Sequence, residues 1–188
     1  ALATWSGALA GLMMIIVGGM IPSAILFPGL DLYPKVMSLP STWQVPALLI
    51  CALVCGPSAG VIATIAYITI GIFHLPVFHN GGNISYLLTP PFGYILGFIP
   101  AAWISGSLAQ QKRGNNLVHL TLSALAGLML LQICGVISLV IGSWLALWSA
   151  QLPELLFSYS MAQLPAQMAL CPGVGIISLI LRQLLFIE

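Results

Sequence analysis

Long apolar stretches, separated by short polar segments, constrain this chain more than any other feature. A helix needs about 20 apolar residues to cross a bilayer, and it satisfies its own backbone hydrogen bonds there. The pattern predicts an all-α, polytopic membrane protein whose single transmembrane domain, residues 1–188, is a bundle of six helices. The predicted spans lie near residues 2–26, 45–56, 57–74, 91–110, 117–145 and 162–187.

The composition agrees with a membrane protein and excludes other classes. Hydrophobic residues make up 60% of the 188 residues and charged residues 4%, whereas soluble domains carry about 25% charge. The net charge of +1 is too small for the basic surface that nucleic-acid binding requires. Nucleic acid is therefore not expected as a partner, whereas membrane lipids are.

The second and third spans are separated by a short break. Residues 45–73 are almost continuously apolar, except at Gly56-Pro57-Ser58. A Gly-Pro pair favours a turn, because proline lacks a backbone donor and its ring disfavours a continuing helix. We therefore predict two short, closely packed spans, and the alternative is one long kinked helix.

Basic residues predict the orientation in the membrane. Lys112 and Arg113 lie in a short loop, and Arg182 lies near the end of the sixth span. Cytoplasmic loops are enriched in such residues, so these positions and both termini are expected on the cytoplasmic side. The N-terminal stretch has no basic segment before it and is interpreted as a retained span.

The sequence contains no recognisable set of catalytic residues. Asp31 and Glu154 lie in separate loops, and no phosphate-binding glycine motif with its lysine is present. No predicted span carries an Asp, Glu or Lys near its middle, which argues against a proton-coupled transporter. We expect no enzyme, no cofactor and no metal site; Cys51 and Cys55 lie in an apolar stretch, as do the other two cysteines.

Neutral polar residues are the remaining candidates for ligand binding. The segment 74–98 gathers amides, paired glycines and tyrosines, which suit a small neutral solute. Single amides within the spans are also explained by hydrogen bonds between helices, and the loop by an ordinary exposed turn. The candidates in the loop are Asn80, Gly81, Gly82, Asn83, Tyr86 and Tyr94, and those in the spans are Gln132, Ser138, Gln163 and Gln167.

Small residues recur four apart in the first span, at Ala3, Gly7 and Gly11, with Ser6 and Ala10 beside them. Membrane helices use such positions to approach one another closely. Two interpretations stay open: packing within this chain, or docking onto another membrane subunit.

Several of these motifs together resemble the signature of the BioY biotin transporter family. Family members have a Leu-Pro-Val-Phe segment, a glycine-rich loop and then a turn that leads into a Gly-Phe pair. The matching residues here are Leu75-Pro76-Val77-Phe78, Gly81-Gly82, Pro90, Gly93-Tyr94 and Gly97-Phe98. The chain is similar in particular to divergent, cyanobacterial-type members.

The resemblance implies a fold, a function and partners. Members are substrate-binding S components of energy-coupling-factor vitamin transporters, with six membrane helices in a bacterial plasma membrane. It implies that biotin or a related vitamin binds near the outer face and that the small residues of the first span dock onto a shared coupling subunit. Two separate cytosolic ATPases supply the energy in that family. The ligand-binding residues expected here are Asn80, Gly81, Gly82, Asn83, Tyr86, Tyr94 and Gln167.

The chain departs from the family pattern at the start of the sixth span. Family members usually have Leu-Pro-Gly-Asp there, followed three residues later by Lys, whereas this chain has Gln167 and Leu170. Gln167 keeps a carbonyl that could accept from a ureido N–H, but Leu170 offers nothing to a carboxylate. This loss of charge motivates an alternative function: a BioY-derived accessory subunit that no longer binds biotin.

Overall fold

Helices form most of the chain in the computed structural model, which describes residues 2–28, 34–73, 77–78, 84–111, 116–148 and 151–185. Two paired strands lie between the first two helices, and two single-turn helices of other types lie later in the chain. The elements are α1 (Leu2–Met20), β1 (Pro22–Pro28), β2 (Pro34–Thr42), α2 (Gln44–Cys55), α3 (Pro57–Phe73), a 3-10 helix (Ile84–Leu88), α4 (Phe92–Ala109), α5 (Leu117–Trp144), α6 (Leu152–Leu156), a π turn (Phe157–Met161) and α7 (Leu164–Leu184).

The predicted helical membrane fold is confirmed. Within the described residues, four helices are long and apolar enough to cross a bilayer: α1, α4, α5 and the continuous segment Leu152–Leu184, which comprises α6, the π turn and α7. Helices α2 and α3 are apolar but shorter, with 12 and 17 residues. The count of six spans therefore stays a prediction.

The first predicted span, 2–26, is longer than the helix that forms. Helix α1 ends at Met20, and the chain continues from Pro22 as β1, which pairs antiparallel with β2. Proline cannot donate to the helix ladder, and it disfavours helical geometry at the preceding residue, Ile21. Hydropathy alone does not detect this stop, because residues 24–27 are as apolar as the helix before them.

Helix α2 occupies the centre of the molecule. It packs against α1, α3, α4, α5 and α7, and every residue from Val45 to Val54 is buried. A helix that is apolar on all sides suits only such an enclosed position. The ends of α2 are therefore held by the surrounding helices, which fixes the positions of the residues that begin it.

Helices α2 and α3 are two separate helices, as predicted from the Gly-Pro pair. Gly56 joins them with a φ of 89°, a left-handed conformation that glycine adopts without a steric penalty. Gly106 of α4 packs directly against this break: a Cβ there would lie 2.6 Å from the backbone nitrogen of Pro57 and 2.9 Å from the carbonyl oxygen of Ala52. The break is thus enclosed by a neighbouring helix.

The small residues of α1 face two directions. A Cβ on Gly7 would lie 2.8 Å from Cys55 Cβ, and one on Gly11 would lie 3.0 Å from Cys51 Cβ. Ala3 is exposed. Gly7 and Gly11 thus pack closely against α2 within the chain, and the docking of Ala3, Gly7 and Gly11 onto another subunit stays a prediction.

Candidate ligand-binding site

A cavity of about 440 Å³ lies where the base of the β-hairpin meets the helical bundle. Its wall combines aromatic rings, aliphatic side chains and amides, and none of its lining residues is charged. The lining residues are Pro22, Ser41, Thr42, Gln44, Val45, Tyr86, Pro91, Tyr94, Ile95, Phe98, Leu131, Tyr159, Gln163 and Gln167. The volume lies within the roughly 300–1,000 Å³ that is usual for small-molecule sites.

Three helices begin at this cavity. Gln44 starts α2, Tyr94 lies in the first turn of α4, and Gln167 lies in the first turn of α7. None of these N-termini has a side-chain hydrogen bond from its N-cap residue. Helix N-termini carry partial positive charge and backbone N–H groups without helical partners. The cavity is therefore weakly favourable to negative charge, although none of the described residues that line it is basic.

A cluster of aromatic rings fixes Tyr86 in the cavity wall. Phe78 stacks on Tyr86 with ring centroids 4.5 Å apart and meets the edge of Tyr67 at 5.4 Å. Phe78 lies against Gly71, where an added Cβ would overlap its ring. The Phe of the Leu-Pro-Val-Phe segment is thus an anchor that holds the end of the loop against α3.

Hydrogen bonds attach the same region to the bundle. The Gln44 amide donates to the hydroxyl of Tyr67 at 2.7 Å, and that hydroxyl donates to the Val77 carbonyl at 3.2 Å. On the other side of the 3-10 helix, the Trp148 indole N–H donates to the Leu88 carbonyl at 2.7 Å. Both ends of the segment that carries Tyr86 are therefore held in place.

Burial alters the acidity of Tyr86. Removal from water, and secondarily the nearby Tyr159, raise the pKa of Tyr86 from 10.0 to about 12, because both disfavour the phenolate. The hydroxyl therefore stays protonated at physiological pH. It can donate a hydrogen bond into the cavity as well as accept one.

Tyr94 supplies an uncommitted polar group. It is 9% exposed, and its hydroxyl makes no hydrogen bond that meets the usual geometry with any described residue. Ser160 lies near it but donates to Gln132 Oε1 instead, at 2.9 Å. Buried polar groups without a partner are uncommon in native proteins, and one on a cavity wall indicates a ligand or water contact.

Gln167 is buried beside the cavity and is held by another helix. Its Oε1 accepts from Gln132 Nε2 of α5 at 3.0 Å. The fold divides the polar candidates of the spans: Gln163 and Gln167 line the cavity, and Gln132 lies behind Gln167. Ser138 packs against Gly93 and is not among the lining residues.

The structure brings three of the seven predicted ligand-binding residues to one cavity: Tyr86, Tyr94 and Gln167. The other four, Asn80, Gly81, Gly82 and Asn83, lie outside the described residues. Leu170, which replaces a family lysine, is not among the lining residues.

Several residues that line the cavity were not predicted from the sequence. Gln44 and Tyr159 line the cavity, but they precede or follow the predicted spans and have no motif around them. The π turn that carries Tyr159 is marked by the hydrogen bond from the Ala162 N–H to the Phe157 carbonyl at 2.9 Å. Such turns are frequent at functional sites, but sequence does not reveal them.

Together, the apolar helices and the cavity define a class of protein: a multi-pass membrane protein with a cavity at one end of its helical bundle. The BioY family model matches residues 3–185. The chain therefore belongs to the BioY family.

Individual relatives agree with this assignment. A probable biotin transporter BioY from Lysinibacillus sphaericus is 32% identical over 93 residues, which cover 50% of this chain and 47% of that protein. The biotin transporter BioY from Thermotoga maritima is 35% identical over 99 residues, covering 52% of this chain and 57% of that protein. These alignments thus span about half the length of each curated relative.

The fold also matches a solved structure, the S-component for biotin from an ECF-type ABC transporter. The TM-score is 0.73 at 19% sequence identity, and the match covers 97% of this chain and 92% of that chain. At this identity the likeness establishes the fold.

Proposed function

We propose that this chain is the biotin-binding S component of an energy-coupling-factor transporter and captures biotin with high affinity. Membership of the BioY family supports this function, as do the names of the two relatives. The observation that carries the proposal is the cavity of about 440 Å³ with an unpaired tyrosine hydroxyl and a positioned amide in its wall.

The same cavity favours a transporter over an accessory subunit that has lost its ligand. A scaffold gains stability from a filled interior, because voids forfeit packing contacts. An uncharged space lined by Tyr86, Tyr94 and Gln167 is instead what a ligand with both polar and apolar parts needs. The loss of charge at positions 167 and 170 is compatible with this function if neutral groups bind the ligand.

Each part of the wall has a proposed role. Tyr86 and Tyr94 flank the ligand, and Gln167 meets the ureido ring. The carboxylate lies near the N-termini of the helices that begin at the cavity, where partial positive charge compensates in part for the missing lysine. In the loop, Asn80 and Asn83 bind polar groups, and Gly81 and Gly82 admit the ligand close to the backbone.

We propose that the cavity faces the outside of a bacterial plasma membrane and that both termini are cytoplasmic. Helices α4 and α7 both begin at the cavity, and at their far ends the Arg182 guanidinium donates to the Ala109 carbonyl at 3.0 Å. Arg182 thus lies at the end opposite to the cavity, and Lys112 and Arg113 follow this end of α4 in the sequence, whereas Lys35 of β2 is the exception among the four basic residues. The positive-inside rule assigns the end with more basic residues to the cytoplasm.

The proposed partners are a transmembrane coupling subunit and two cytosolic ATPases. The relevant surface of α1 is the side that remains exposed. Ala3, Ser6 and Ala10 are exposed, and their spacing places them on one face of the helix. We propose this face, which includes Ala3 from the predicted set, as the docking surface.

Titration of the purified protein with biotin tests the function. We expect saturable binding to the unmodified chain and binding weakened by at least about tenfold in Gln167→Ala, the loss expected for a buried hydrogen bond. Gln183→Ala is the control, because Gln183 is exposed on the same helix and lies roughly 24 Å further along it. Absence of saturable binding to the unmodified chain would rule out the proposed function.

A further inference from the structure

A chain of hydrogen bonds runs behind the cavity and joins three elements. Ser160 Oγ of the π turn donates to Gln132 Oε1 of α5 at 2.9 Å, and Gln132 Nε2 donates to Gln167 Oε1 of α7 at 3.0 Å. The three residues are 8%, 5% and 6% exposed, respectively. Of the three, Gln167 alone lines the cavity, so Gln132 affects a ligand through Gln167.

The chain determines what Gln167 offers to the cavity. An amide carries two N–H donors at one end and a carbonyl acceptor at the other. Gln132 occupies one of the two acceptor positions of the Gln167 carbonyl, so in this arrangement the two N–H donors are the main groups left for a ligand. This differs from the expectation that the Gln167 carbonyl accepts from a ureido N–H.

The same three residues can also be connected in the opposite sense. If both amides turn over, Gln167 donates to Gln132, Gln132 donates to the Ser160 oxygen, and the Gln167 carbonyl faces the cavity. A hydroxyl can donate or accept, so every bond within the chain is kept. The chain therefore holds Gln167 in one place while it presents either a donor or an acceptor, and it never presents a formal charge.

We propose that Gln132 and Ser160 are positioning residues for ligand binding, which fix Gln167 against a neutral ligand group that carries N–H and C=O side by side. A cyclic urea has this chemistry. The inference deepens the proposed function and rests on it, because the cyclic urea is the ureido ring of biotin. A neutral relay of this kind takes the place of the carboxylate that the family pattern has at position 167.

A double-mutant cycle separates positioning from general structural support. Biotin affinity is measured for the unmodified chain, Gln132→Met, Gln167→Met and the double variant. Methionine keeps the length of the side chain without its hydrogen bonds. We expect Gln132→Met to weaken binding by about tenfold, as for the loss of one buried hydrogen bond, and to have almost no further effect when Gln167 is already methionine. An equal loss in both backgrounds would overturn the proposal.

The double-mutant cycle has a matched control and a second variant that can replace Gln132→Met. Gln183→Met makes the same chemical change at an exposed position of α7 and should leave the affinity unchanged. If Gln132→Met does not yield folded, monodisperse protein, Ser160→Ala replaces it in the cycle, with an expected loss of about threefold. Again, equal losses with and without Gln167 contradict positioning.

Ligand selectivity tests the chemistry of the recognised group. In 2-iminobiotin, a cyclic guanidine replaces the cyclic urea; in its protonated form at neutral pH it carries only N–H donors, so an acceptor for the Gln167 N–H is lost. We expect the unmodified chain to prefer biotin and Gln132→Met to lose most of that preference, whereas an unchanged preference would contradict the assignment of Gln167 to the ureido ring.

If the unmodified chain binds no biotin, the proposed function itself fails. If the unmodified chain binds biotin but the losses from Gln132→Met and Gln167→Met simply add, only the positioning role of Gln132 and Ser160 fails.

Discussion

The tyrosines around the cavity differ in what their hydroxyl groups contact. The Tyr67 hydroxyl both accepts from Gln44 and donates to Val77, so it stabilises the protein without a ligand. The Tyr94 hydroxyl makes no hydrogen bond of the usual geometry with the described residues, although Ser160 lies near it, so it remains open to a ligand or water. We therefore expect the same chemical group to serve folding in one residue and binding in the other.

Replacement of each tyrosine by phenylalanine should separate these roles. Tyr67→Phe should lower the free energy of unfolding by about 1–3 kcal/mol, because it leaves buried partners unsatisfied. Tyr94→Phe should leave the stability of the ligand-free protein unchanged or slightly higher, yet weaken biotin binding by about tenfold. Thermal unfolding with and without biotin measures both effects; a large loss of ligand-free stability in Tyr94→Phe would contradict the assignment.

Tyr86 predicts how stability responds to alkaline pH. Its pKa is about 12 in the folded protein against 10.0 for an ordinary tyrosine, so the folded state holds the proton more tightly than the unfolded state does. The contribution of this group is fully present below pH 10 and is lost as the pH rises towards 12. We expect the melting temperature to fall more steeply in this range for the unmodified chain than for Tyr86→Phe. Identical pH profiles would show that Tyr86 is not buried as described.

Sequence could identify part of the site because some of its residues are clustered in the chain. Tyr86 and Tyr94 lie in one polar segment, and Gln167 occupies a position that the family motif marks. Gln44 and Tyr159 are separated from them by dozens of residues and reach the cavity only through packing. The hydrogen bonds of Gln132 likewise depend on how α5 and α7 meet, which no local pattern encodes.

At the level of secondary-structure elements, some helix ends could be predicted from prolines and others could not. The Gly56-Pro57 pair ends one helix and begins another, as its local chemistry indicates. Pro100 and Pro172 lie inside α4 and α7 without ending them, because neighbouring helices can stabilise a membrane helix that lacks one hydrogen bond. Pro22 ends α1 in a stretch that hydropathy predicts as helix. The outcome at a proline therefore depends on its surroundings.

The contact between α4 and the break at Gly56 should be sensitive to a single methyl group. In Gly106→Ala, the new Cβ meets backbone atoms of Pro57 and Ala52, all within 2.9 Å, and backbone cannot move aside as a flexible side chain does. We expect a loss of about 1–3 kcal/mol in the free energy of unfolding from overpacking.

Gly173 of α7 provides the matched control for this substitution. A Cβ at that position would meet nothing within 4 Å, so Gly173→Ala should be neutral or stabilising by up to about 1 kcal/mol, from helix propensity alone. Chemical or thermal unfolding of both variants in detergent compares them directly. Equal effects of the two substitutions would contradict the close packing of α4 on the α2–α3 connection.

At the scale of the whole molecule, the two ends of the bundle have different chemistry. One end holds the uncharged cavity, and the other holds Arg182 against the last turn of α4. Hydropathy and the motifs together could predict the helical fold and its family, because both depend on long segments. The β-hairpin between α1 and α2 was not predictable from them, since its strands are rich in proline and continue an apolar stretch.

The exposed face of α1 leads to a prediction about assembly. Ala10 lies at the C-terminal end of this face, and a bulky side chain there should prevent close approach of another helix. It should leave the fold intact, because Ala10 is exposed whereas Gly7 and Gly11 are packed against α2. We expect Ala10→Trp to bind biotin normally but to lose most of its co-purification with a coexpressed coupling subunit and its ATPases, and hence most biotin uptake by cells. Leu122→Trp, at an exposed position of α5, is the control and should retain both. Normal uptake by Ala10→Trp would show that docking uses a different surface.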